Sequence, residues 1–329
     1  MARHDITRRR ALALAMAAAA APFAAAPVLG QSRTKLRVGK AIAAQMSFAG
    51  LEVGQAAEIW KEAGLDIEIV SFTGDARMQQ AFAAGSIDIG LGSGPAMGYA
   101  SKGVPAHAVA SLANRPDNFV IAVGEKSGVK TIDEMKGKRI GVTTLGSLTE
   151  WLARTTSARR GWGPTGMEIV SMGETRSRLA ALEAGELSAI VTSAVQAFQM
   201  EADKKGRVLV SFGADVPHFH TNIIFAHDDL IAKRPDDLKR FLSAWFKTAK
   251  YMRENKADSV KAIARTMRLP EEAISRSYEL ELGSMSMDGA FDPEALKVIQ
   301  SSLKELGITE TPPPIEKLYT PGFAPVSSS

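Results

Sequence analysis

The sequence predicts an α/β protein built as two related lobes. Two observations carry this reading. Short apolar runs alternate with helical patterns along residues 31–329, the pattern of strands and helices layered on one another. One strand–helix–strand unit also recurs 100 residues later: Glu68-Ile69-Val70-Ser71 parallels Glu168-Ile169-Val170-Ser171, Ala81 to Ile87 parallels Ala181 to Leu187, and Ser93 answers Ser193. At 329 residues the chain is long enough for two cores.

Residues 1–30 are set apart. Arg3, Arg8, Arg9 and Arg10 face only Asp5, and the 16 residues 11–26 include 11 alanines. A positive start, a short apolar run and small residues describe an export signal, and Thr7-Arg8-Arg9-Arg10-Ala11-Leu12 resembles the twin-arginine motif. Cleavage is expected after Gly30. The run is too short and too weakly apolar for a membrane span.

The first strand is read at 36–39, followed by a helix at 49–63 that stops at Gly64, a strand at 66–72, a helix at 76–84 stopped by Gly85, and a strand at 87–90. Arg115-Pro116-Asp117 turns the chain into a strand at 119–123 that leads to the second lobe. There Arg139-Ile140-Gly141-Val142 takes the place of the first strand, and the lobe ends near Phe212. Residues 222–226 carry the chain back. Pro235, with Asp236 and Asp237, opens a helix whose stripe is Leu238, Phe241, Leu242, Trp245, Ala249 and Met252. Helices follow around 259–267, 270–280 and 293–306, then a Pro/Ser-rich tail expected to wrap or fray. The organisation is thus 1–30 export signal, 31–123 with 222–329 as the first lobe, and 124–221 as the second.

Ligands of open α/β sheets bind beyond the carboxyl ends of strands, where helix N-termini leave N–H groups free. Four loops fit that position: Ala43 to Ser47, Gly92 to Pro95, Thr143 to Ser147, and Thr192-Ser193-Ala194. They bring hydroxyls, amides and backbone N–H groups but no evident acid–base pair, which suits holding a small polar or anionic molecule. Familiar catalytic motifs fail. Ser147 stands where a phosphate-binding loop needs Lys, Pro95 replaces the last glycine of a dinucleotide fingerprint, and Ser93 lacks flanking glycines. His218 and His220 form the only close histidine pair, with no acidic triad beside them, so neither metal nor cofactor is expected. Arg77 and Arg176 occupy equivalent places in the two lobes and read as solvated helix-face residues.

Composition narrows the function further. There is no cysteine, which removes disulfides, thiolate metal sites and cysteine nucleophiles. Net charge is +4, but four of 40 basic and one of 36 acidic residues lie in the export segment, leaving 36 against 35. No basic block remains to follow a phosphate backbone, so no nucleic-acid partner is expected.

Thr131-Ile132-Asp133-Glu134-Met135-Lys136-Gly137-Lys138-Arg139-Ile140-Gly141-Val142, together with Ala84-Gly85-Ser86-Ile87-Asp88-Ile89 and the helix at 241–255, resembles the periplasmic substrate-binding proteins of ABC importers, in the nitrate/sulfonate/taurine and thiamine-pyrimidine group. The resemblance covers nearly the whole chain beyond residue 30. It implies a type II periplasmic-binding-protein fold, with two doubly wound lobes joined by two crossovers and a ligand held between them. Gln45, Met46, Ser47, Ser93, Gly94, Thr144, Gly146 and Ser147 would line that cleft, with Thr192 and Ser193 at the fourth loop. Where relatives often carry Val-Asp-Ala and an acidic-Pro pair, this chain has Leu187-Ser188-Ala189 and Thr192-Ser193-Ala194-Val195. The implied protein is a monomeric periplasmic receptor, not an enzyme, partnered by a small-molecule ligand and an inner-membrane permease. Its hinge would lie near Val123-Gly124 and Thr221-Asn222. A lyase or hydrolase on the same fold is the alternative, with Asp75, Glu174 and His220 as its candidate groups.

Overall fold

A computed structural model describes residues 33–213 and 216–326. The predicted export segment lies outside them. Two five-stranded sheets organise the chain. β1 (Thr34–Lys40), β2 (Leu65–Ser71), β3 (Ile89–Ser93) and β4 (Ala106–Ala113) belong to the first; β5 (Phe119–Gly124), β6 (Arg139–Val142), β7 (Glu168–Ser171), β8 (Ala189–Ser193) and β9 (Gly206–Ser211) make the second. β10 (Asn222–His227) then returns to the first sheet.

The strand orders are β2-β1-β3-β10-β4 and β7-β6-β8-β5-β9, the same pattern twice. In each sheet the outer three strands are parallel, while the strand arriving from the other lobe is antiparallel to both its neighbours. The internal repeat is therefore structural: β3 and β8 lie 100 residues apart and end on Ser93 and Ser193. The sequence reading closed the first lobe at Val123, but Phe119–Gly124 is hydrogen-bonded between β8 and β9. The chain therefore changes sheets between Ala113 and Phe119.

Helices follow the parallel strands. α1 (Gly50–Ala56) and α2 (Ile59–Glu62) follow β1, and α3 (Asp75–Ala83) follows β2. The single helix expected at 49–63 is broken because Glu58 adopts a left-handed conformation, φ 57°. The strand expected at 87–90 starts later, at Ile89, because the Asp88 carboxylate takes both the backbone N–H and the guanidinium of Arg37. A 3-10 helix, Gly94–Lys102, follows β3. In the second lobe α4 (Leu148–Arg159), α5 (Thr175–Ala184) and α6 (Ala194–Ala202) follow β6, β7 and β8.

After β10 come α7 (Asp228–Lys233), α8 (Pro235–Glu254), α9 (Lys256–Met267), α10 (Glu271–Ser284) and α11 (Pro293–Glu305). The predicted stripe of α8 is buried; Phe241 stacks on Trp60 at 5.2 Å, fixing α8 to α1 and α2. Each such side chain contributes on the order of 2 kcal/mol of burial. α9 packs on α1, whereas α10 packs on α6, so the C-terminal helices touch both lobes. The tail wraps: Thr320 N–H donates to Ala108 O of β4, and Val326 N–H to Asp288 O. Among the described residues no helix is long and apolar enough to cross a membrane.

Candidate functional site

The loops after the parallel strands of one lobe meet those of the other. A Cβ placed on Gly74, after β2, would come within 2.6 Å of Thr144 Cγ2, after β6. One placed on Gly173, after β7, would lie 3.9 Å from Thr73. Ser47, after β1, reaches Asn118, which precedes β5. The seam is tied at its ends as well. Trp151 of α4 donates from Nε1 to Glu305 Oε2 of α11 at 2.8 Å and stacks on Phe219 at 4.4 Å. Arg276 of α10 pairs with Glu201 of α6 at 2.8 Å and lies over the Phe198 ring.

Three groups form along this seam. In the first, Asp75 at the start of α3 is buried, and its carboxylate accepts the Ser93 backbone N–H at 2.9 Å and hydroxyl at 2.8 Å. Burial pushes Asp75 up, opposed by those two bonds. Gly94 follows with its backbone against His220 O, which a Cβ would meet at 2.2 Å.

In the second group, Thr144 is packed against Gly74 with its hydroxyl oxygen buried and unpartnered. Gly146 donates its N–H to Glu150 Oε2 at 2.6 Å, and a Cβ there would lie 3.4 Å from the Tyr99 hydroxyl of the first lobe. Burial, with the nearby charges of Asp75 and Glu150, raises Tyr99 to about 12. Ser147 is used internally: its Oγ accepts the Glu150 N–H at the head of α4 and bonds Thr143 and Thr149.

In the third group, Gln45 Nε2 donates to Ser47 Oγ at 3.3 Å, Ser47 Oγ donates to Glu281 Oε2 at 3.0 Å, and Asn118 Nδ2 donates to both. All four residues are buried. Burial raises the Glu281 carboxyl to about 7 against the pull of Asn118 and Ser47. Met46 beside them packs with Val195 and Tyr278, and its sulfur accepts from Ser277. Thr192 and Ser193 are buried at the end of β8, where Ser193 precedes α6 without a side-chain cap bond. Asn118 O accepts the next N–H, from Ala194, at 2.7 Å.

The catalytic alternatives are not assembled. His220 is fully buried, accepting the Asp292 N–H on Nε2 at 2.9 Å, so its proton sits on Nδ1 facing Ser111 Oγ at 2.9 Å. Burial lowers it to about 4. Glu174 is exposed at the head of α5. No hydrogen bond joins any two of Asp75, Glu174 and His220 among the described residues. His218 is largely exposed and pairs with Asp292 at 3.0 Å. No group of three or more potential metal-ligating residues forms among the described residues.

Arg77 and Arg176 are exposed; the buried arginine is Arg178. It bonds Val191 O and, at 3.1 Å, Thr175 Oγ1, and burial lowers it to about 10. Asn118, Tyr99 and Glu281 are the seam residues that sequence reasoning missed, along with Arg178 inside the second lobe. The available signal was Glu281 itself, a carboxylate seven positions after Ile274 on the buried stripe of α10.

No curated protein matches the chain. Solved structures do. The alkanesulfonate-binding protein SsuA from Xanthomonas axonopodis is 19% identical, with a TM-score of 0.73 over 86% of this chain and 96% of that one. A Candida albicans protein, CA3427, described as having the generic periplasmic binding protein fold, is 16% identical, with a TM-score of 0.71 over 85% and 92%. The nitrate-binding protein NrtA from Synechocystis is 15% identical, with a TM-score of 0.66 over 83% and 80%. At these identities the likeness is one of fold, the periplasmic-binding-protein fold. The sequence itself matches the NMT1/THI5-like family model over residues 45–259, and with that the chain belongs to the NMT1/THI5-like family.

Proposed function

We propose that the protein is an exported solute-binding receptor that closes two lobes on a small polar molecule and delivers it to a membrane importer. The observation that carries this is the seam itself. Two sheets of identical strand order turn their strand-end loops toward each other, and the chain passes between them through short segments, 114–118 and 212–221. Those segments are the hinge, and the lobes are 33–113 with 222–326, and 119–211. Gln45, Ser47, Ser93, Gly94, Thr144, Gly146, Thr192 and Ser193 supply the polar lining, with Met46 and Ser147 supporting it from behind. Residues 1–30 act as a twin-arginine signal, which places the receptor in the periplasm.

The ligand leaves unchanged, because the seam carboxyls of Asp75 and Glu281 are bonded to hydroxyls and amides and neither is joined to a second acid or base. Micromolar affinity corresponds to about 8 kcal/mol, within reach of several hydrogen bonds made in a cleft that shuts out water. The test is a thermal-shift screen of residues 31–329, followed by small-angle scattering on any hit. A ligand that raises the melting midpoint, shrinks the radius of gyration and is recovered intact supports the reading. Turnover of every hit sinks it.

A further inference from the structure

Glu281 and Asn118 are hydrogen-bonded to each other, and each keeps a buried acceptor without a partner, as do Thr144 at its hydroxyl and Asn222 at Oδ1. Asn118 has no solvent exposure and Glu281 has 1%. Glu281 Oε2 takes both available donors, Ser47 Oγ and Asn118 Nδ2. Glu281 Oε1 and Asn118 Oδ1 have no partner. When Glu281 is ionised, the carboxylate only accepts, so the Asn118 nitrogen faces it and Oδ1 is left over. A buried acceptor without a donor costs about 1–3 kcal/mol, more when charged, and two belong here to one hydrogen-bonded pair.

Neighbouring cations do not relieve them. Arg253 donates to Leu282 O, Arg276 pairs with Glu201, and Lys256 pairs with Glu279. Lys40, the buried ammonium at the end of β1, is held by Glu52 and Ala43 O. The three residues that carry this cluster come from the loop after β1, the crossover before β5, and α10, so it ties the two lobes together at the seam.

We infer that Glu281 and Asn118 set the chemical class of the ligand: a cationic or N–H-rich small molecule, such as an amine, amidine or guanidine, that donates to Glu281 Oε1 and Asn118 Oδ1. The inference rests on the receptor reading above and narrows it. An anion would instead place negative charge against two unsatisfied acceptors. Arg178 is a buried cation that could receive one: its terminal nitrogens serve Val191 O and Thr175, but its Nε has no partner, so the anion arm of the test decides for it or against it.

The test uses residues 31–329 and two matched panels, ethylamine, benzamidine and methylguanidine against ethanesulfonate, nitrate and benzoate, read by thermal shift and titration calorimetry at pH 8. At least one N–H donor is expected to bind, and Glu281→Gln to weaken it tenfold or more with the ligand-free melting curve still cooperative. Asn118→Ala, which removes the second acceptor, should weaken the same probe severalfold and serves if the first variant does not fold. Binding confined to anions, or donor binding unchanged in both variants, overturns the inference and leaves the receptor standing. Binding by neither panel overturns the inference and counts against the receptor as well.

Discussion

Replacing Glu281 by Gln should change how stability depends on pH, in a calculable direction. In the unfolded chain this carboxyl ionises near 4.5; in the fold burial delays ionisation to about 7. Between those values the native state holds more protons than the unfolded one, so stability falls as pH rises through the window and the loss is complete above it. The full difference is on the order of 3 kcal/mol, undiluted by solvent because the group is buried. His220 works in the opposite sense. Its depression from 6.5 to about 4 leaves the unfolded state holding more protons, so stability climbs with pH over that range. Comparing wild type with Glu281→Gln cancels the histidine. Urea unfolding at pH 4.5, 6 and 8 should show the variant gaining on wild type by about 2–3 kcal/mol between the lowest and highest pH. A difference that stays flat across pH would refute the burial of this carboxyl in solution.

Two further substitutions probe the seam. Gly94→Ala would set a Cβ 2.2 Å from His220 O and 2.3 Å from Ile299 Cδ1, and should lower the urea-unfolding free energy by about 3 kcal/mol or more. Trp151→Phe keeps an aromatic ring against Phe219 but removes the 2.8 Å bond to Glu305 that joins the lobes; on the receptor reading proposed above, the loss of about 1 kcal/mol should weaken ligand binding about fivefold and enlarge the radius of gyration in scattering.

The architecture was legible in the sequence wherever local and tertiary signals agreed. The 100-residue repeat located β3 and β8, and the strand at 139–142 matches β6 residue for residue. β4 has no strand signature of its own because Ala106–Ala113 holds four alanines; alanine favours helices in isolation, and only pairing with β10 makes this stretch a strand. The segment that follows β3, Gly94–Lys102, forms a helix of the tighter 3-10 pitch. The candidate loops do gather along one seam, yet the charged groups there were harder to see. Glu281 finds Asn118 163 residues away and Ser47 234 residues away, separations that no local pattern encodes. Arg178 looks like its exposed neighbour Arg176 until the fold turns it toward β8.

The placement of β10 has a consequence for the order in which the molecule can be made. The second sheet draws all its strands from one unbroken stretch, 119–211, and can complete itself as soon as that stretch is available. The first cannot. β4 is joined to β3 only through β10, so a nascent or truncated chain ending before Asn222 carries two open strand edges, the kind that recruit other chains. The earlier-synthesised half of the protein is thus the later one to be finished, and a chaperone that protects this chain would be needed at β3 and β4.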